Sequence, residues 1–134
     1  MCIRDSVSPG RLLLHEQQNP EHPDHAVTRR LRAHLEQQTD AAGRRFEIVD
    51  LPAPATLRDD EGFVDWSYVN HLVTNDGVVA CGFGDEQADA AARAILADVY
   101  PGRRVVTVDA RPLFDRGGGI HCITQQQPSV GVPA

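Results

Sequence analysis

Apolar and polar positions along this chain change period in a fixed order, and the order occurs twice. Leu12-Leu13-Leu14, introduced by Gly10-Arg11, read as a short apolar strand. Over 24–39, Val27, Leu31 and Leu35 recur at helical spacing with charges between them, which predicts a helix ended by Gly43. Arg44 to Leu51 then alternate as a half-buried strand. The second pass begins with a strand over 68–74, a turn at Asn75-Asp76-Gly77 and a continuing strand over 78–81, a hairpin signature. Asp85 is placed to cap a helix over 86–100 whose apolar face is Ala88, Ala91, Ala92, Ile95 and Val99. Pro101-Gly102 stops that helix, and 103–109 returns as a strand.

Gly43-Arg44-Arg45 … Asp50 is echoed by Gly102-Arg103-Arg104 … Asp109, so the pattern reads as two copies of one strand–strand–helix–strand unit. The stretch 52–62, rich in proline and acidic residues, is the connecting loop. A chain of 134 residues suits one domain with a modest core. Its formal charge of −6, with basic residues scattered, argues against a nucleic-acid partner, which would need a basic stripe. No apolar run has the length of a membrane-spanning helix, so no membrane partner is expected. Cysteines at 2, 81 and 122 make no disulfide or metal framework, and a reducing cytoplasm is the default compartment. His22 and His25 flank Asp24 at a helix start without a second ligand pair, which favours a helix end over zinc. Gly82-Phe83-Gly84-Asp85 lacks the third glycine of a dinucleotide loop, with Gln87 in its place, and reads as a turn. No metal and no cofactor is expected.

The densest chemistry lies near the C-terminus, in Gly117-Gly118-Gly119-Ile120-His121-Cys122-Ile123-Thr124-Gln125-Gln126. Three consecutive glycines cost backbone entropy and contribute no packing, so bare backbone is needed there. Close approach of a ligand is one reason, and a tight entry into a last strand is another. A cysteine immediately after such a triplet is a candidate nucleophile, weighed against a buried structural thiol. If 120–124 is a strand, His121 faces away from Cys122 and Thr124 shares its side, which makes His121 a packing residue and not the partner base.

This segment resembles the terminal signature of the agmatine deiminase family almost residue for residue. Asp65-Trp66-Ser67-Tyr68-Val69-Asn70 is similar to that family's Ser-Tyr-x-Asn segment, and Asn75-Asp76-Gly77-Val78-Val79 to the turn and strand after it. Three blocks in the right order make the resemblance specific. It implies an α/β fold, a partial α/β-propeller of the pentein type, with about two units followed by a terminal strand carrying the nucleophile. It also implies Cys122 as catalytic residue, with Gly117, Gly118, Gly119 and Asn70 as substrate-binding residues, Asn70 reading equally as a turn residue at the end of a strand. Agmatine would be the small-molecule partner, hydrolysed to N-carbamoylputrescine and ammonia on the way to putrescine.

The family's His and Asp occur in a Gly-His-x-Asp motif upstream of the cysteine, and this chain contains no such motif. The expectation is therefore that residues 7–134 form the C-terminal part of such an enzyme, inactive alone, with 1–6 a non-native leader. A partial ring leaves apolar flanks, so the chain is expected to be marginal or to form a homo-oligomer. Arginine or peptidyl-arginine deimination is the alternative within enzymes. A non-catalytic fragment or assembly module is the alternative outside them. Trp66 is read as a loop anchor before a substrate-entrance residue, and Cys81 as core.

Overall fold

The computed structural model describes residues 4–127. Its first unit is β1 (Arg4–Ser8), β2 (Arg11–Glu16), α1 (Pro23–Leu35) and β3 (Glu47–Pro52). Its second is β4 (Leu72–Val73), β5 (Gly77–Gly82), α2 (Glu86–Val99) and β6 (Arg104–Asp109). Each unit forms a three-stranded sheet in sequence order, the first pair antiparallel and the second parallel. The parallel pair is closed by the helix, as a crossover of this length requires.

Several boundaries differ from expectation for identifiable reasons. Residues 4–6, expected to lie in a leader, pair with Leu14, Leu13 and Leu12 as part of β1. Gly10 turns the hairpin between β1 and β2 at φ +79°, a conformation open to glycine. The strand expected over 68–74 shrinks to Leu72–Val73. Ser67 Oγ accepts from the Val69 backbone N–H, and Asn70 N–H donates to Ser67 O, so the chain turns there instead. In α1, Leu31 and Leu35 pack inward as expected, but Thr28 is buried in place of Val27, which is 37% exposed. In α2 the buried residues are Ala92, Leu96 and Val99, and Ala91 faces solvent.

The main core is shared between the units. Leu13 and Leu51 of the first join Val78, Ala80, Cys81, Ala92, Leu96 and Val99 of the second. A smaller cluster of Leu12, Leu14 and Leu35 lies under α1. Cys81 is core, as expected. Trp66 stacks on Phe83 with ring centroids 5.0 Å apart, which anchors the connecting loop. β6 is an edge strand and leaves Val106 and Val108 about two-fifths exposed, the kind of apolar flank a partial ring should present.

Candidate active site

After β6 the chain makes a four-residue helix, α3 (Arg111–Phe114), which the sequence reading missed. It sets Phe114 against Phe83 and leads into the glycine triplet. Gly117 has φ +93°, which favours glycine strongly. Gly118 and Gly119 are held bare by their neighbours. A Cβ on Gly118 would lie 2.8 Å from Cys122 Cβ and 3.0 Å from its sulfur. One on Gly119 would lie 2.6 Å from both Asn70 Cγ and Phe114 Cε2. Part of the need for glycine is thus internal packing around the cysteine.

His121–Ile123 forms a 3-10 turn, not the terminal strand expected. The turn is closed by Cys122 N–H donating to Gly119 O and Thr124 N–H to His121 O. Alternation of faces therefore does not apply here, and it neither turns His121 away from Cys122 nor sets Thr124 on the same side. His121 lines a cleft of about 580 Å³ with His71, Tyr100 and Arg103, and Cys122 is not among the residues lining that cleft.

Cys122 is exposed, while Asn70 beside it is almost wholly buried. Asn70 Nδ2 donates to Cys122 Sγ at 3.3 Å, and Asn70 Oδ1 accepts from His121 N–H at 2.7 Å. The hydrogen bond from Asn70 holds the Cys122 thiol below its ordinary pKa, against a smaller opposing effect of burial, with further help from the Gly119 backbone. A thiol that is accessible and biased toward thiolate is a nucleophile in waiting. So the structure brings together Cys122, Gly118, Gly119 and Asn70, four of the residues singled out from sequence, while Gly117 contributes a backbone of positive φ ahead of them.

The other candidates resolve into structural roles. His22 Nδ1 accepts from Asp24 N–H and its Nε2 donates to Val64 O, so it caps α1 and ties down the loop. His25 Nδ1 bonds Gln17 O. Among the described residues no group of three or more His, Cys, Asp and Glu is placed to hold a metal ion. No described helix is long and apolar enough to cross a membrane. Asp85 caps α2 by accepting from Ala88 N–H at 3.0 Å, as predicted. Two further histidines, His15 and His71, are buried. His15 Nδ1 meets Ser67 Oγ at 3.2 Å, and burial, with the nearby His22, lowers its pKa to about 4. His71 is held between Tyr68 O and Tyr100 OH, and burial lowers its pKa as well. Neither had a periodic signal to reveal it.

Residues 3–128 match the family described as Porphyromonas-type peptidyl-arginine deiminase. A Streptomyces coelicolor protein named "Putative agmatine deiminase" is 51% identical over 121 residues, covering 90% of this chain and 35% of that protein. The agmatine deiminase of Pseudomonas fluorescens SBW25 is 36% identical over 141 residues, covering 92% of this chain and 38% of its own length. Among solved structures, the agmatine deiminase of Enterococcus faecalis superposes with a TM-score of 0.85 at 28% identity, over 94% of this chain and 39% of that one. The chain thus spans little more than a third of the relatives it matches, and the expected partial α/β-propeller stands.

Proposed function

The chain belongs to the Porphyromonas-type peptidyl-arginine deiminase family, and from that premise we propose that Cys122 is the nucleophile of an agmatine deiminase. The observation that carries this reading is the exposed Cys122 thiol, held by Asn70 on a turn built from glycines. The relatives named agmatine deiminase favour agmatine as the substrate class.

Guanidinium carbon is a poor electrophile because its charge is spread over three nitrogens, so a thiolate is the fitting attacker. The Cys122 sulfur forms a bond to that carbon and gives a tetrahedral adduct. The C–N bond to a terminal nitrogen then breaks, and ammonia departs with a proton from a general acid. Water hydrolyses the resulting thiouronium, which returns the thiol and leaves N-carbamoylputrescine. No cofactor takes part in these steps. The general acid is the histidine of the upstream Gly-His-x-Asp motif, which this chain does not contain. General acid–base help is worth about 10²–10⁴ in rate, so the 134-residue chain alone is inactive.

Agmatine is preferred over arginine. In sequence the cationic residue next to 117–124 is Arg116, which is no dedicated carboxylate clamp, and an unpaired carboxylate would be desolvated at a cost of several kcal/mol. The test is a chimera that joins the upstream part of the Streptomyces coelicolor relative to this chain. Ammonia release from agmatine, absent in Cys122→Ala and absent from the chain alone, is the expected result. Activity of the chain alone would place the whole catalytic set within it. A kcat/KM for arginine or peptidyl-arginine at or above that for agmatine would move the function to that side of the family.

A further inference from the structure

We infer that Asn70 is the positioning residue of the nucleophile: its amide nitrogen donates to the Cys122 sulfur while its amide oxygen fixes the turn on which Cys122 stands. The inference rests on the proposed role of Cys122 for its consequence to turnover, but the geometry that carries it does not.

The orientation of the amide is fixed by chemistry. A backbone N–H can only donate, so the Asn70 atom 2.7 Å from His121 N is the oxygen. The NH2 group then has to point at the sulfur, 3.3 Å away. A sulfur that receives a donor is favoured in its anionic form. Asn70 has little freedom to do anything else. Its N–H is bonded to Ser67 O, and its C=O accepts from the buried Cys81 Sγ at 2.8 Å. Gly119 packs against its amide so closely that a Cβ there would overlap Cγ. Asn70 is thus clamped from both sides and bridges two segments more than fifty residues apart in sequence.

A neutral donor is also the right kind for a cationic substrate. Thiolates are commonly favoured by a neighbouring Lys, Arg or His cation, but a fixed positive charge would repel an approaching guanidinium. Among the described residues no cationic side chain is hydrogen-bonded to Cys122, and its side-chain partner is the Asn70 amide. An amide dipole favours the thiolate without adding net charge. Substrate contact falls to the glycine turn and to the sulfur itself, one step in front of Asn70.

The experiment follows the alkylation rate of Cys122 against pH in the intact 134-residue chain, with peptide mapping to separate it from Cys2 and Cys81. The native midpoint should lie on the order of one pH unit below that of a free peptide spanning 117–126. Asn70→Asp keeps an acceptor for His121 N–H but replaces the donor with a negative charge, so it isolates the proposed role. It should raise the midpoint by about a unit or more and slow alkylation near neutral pH around tenfold. Continued shielding of Cys81 in the same sample reports that the fold is intact. Should Asn70→Asp expose Cys81, Gly119→Ala displaces the amide with every polar group in place and should raise the midpoint too. A native midpoint equal to the peptide's, or an unchanged midpoint in a variant that still shields Cys81, overturns the inference. A chimera inactive on agmatine but with the lowered midpoint would reject the deiminase reading and leave this one standing.

Discussion

The two strand–strand–helix–strand units share their order, their pairing and a glycine of positive φ after the helix, yet only the second leads into the turn that carries Cys122. In the first, α1 buries Thr28 and Leu35 and covers the small cluster of Leu12, Leu14 and Leu35. In the second, β5 is buried along most of its length and α2 places Ala92, Leu96 and Val99 into the main core. That core continues through Phe83 and Phe114 to Ile120, the residue just before the Cys122 turn. The same topology thus serves as scaffold in one copy and as the base of the candidate site in the other. What differs is not the burial of the central strand, since β2 and β5 are alike in that, but what the core runs on to, which in the second copy is the turn that carries Cys122.

The largest effect should come from cutting into the two cores through a buried leucine of each helix. Leu96 has no exposure and Leu35 retains 8%. Leu96→Ala should cost about 4 kcal/mol and Leu35→Ala about 2 kcal/mol, since the loss scales with the cavity that cannot collapse. Urea midpoints of the two variants check this. Equal losses would show that the units are packed alike and would remove the contrast.

A somewhat smaller effect is expected from acid, and it belongs to the first unit. His15 titrates near 6.5 in the unfolded chain and at about 4 in the fold, because burial disfavours its charged form. Between those values the unfolded chain binds the extra proton. The contribution is therefore fully present above pH 6.5, falls as pH drops toward 4, and is flat below that. Its size is about 3 kcal/mol. His15→Gln should flatten the fall in stability over that window. A variant whose acid sensitivity matches the native chain's would clear His15 and turn attention to His71 in the second unit.

The repeat was readable from sequence because period carries it, in the helical spacing of α1 and α2 and the alternation leading into β3; Gly102 follows the end of α2 as expected, whereas α1 stops at Leu35 and Gly43 belongs to a later turn. Cys122, the glycine triplet and Asn70 were readable as residue types. Their arrangement was not, since the bonds from Asn70 to Cys122 and His121 join segments that no local pattern connects. The 3-10 turn at His121–Ile123 looked like a strand because three residues are too few to reveal a period. The turn at Ser67 was hidden for a related reason. Val69, Leu72 and Val73 are good strand formers, and a single serine hydroxyl bonding forward outweighs them locally.

The smallest predicted effect probes what the units have in common. Gly43 follows α1 at φ +78° and Gly102 follows α2 at φ +80°, and a Cβ on either would meet nothing within 4 Å. Space is therefore no obstacle at either position, and the cost of Gly43→Ala or Gly102→Ala is the backbone strain alone, about 1 kcal/mol in each case. The two losses should agree within a few tenths of a kcal/mol, and neither should alter the alkylation of Cys122, since neither glycine touches the segment that carries it. Matching urea midpoints with unchanged labelling would place the likeness of the units in their backbone. A Gly102→Ala loss well above that of Gly43→Ala, or slower labelling in one variant, would mean that the strain reaches the Cys122 turn through β6, and that the second unit is specialised down to its helix stop.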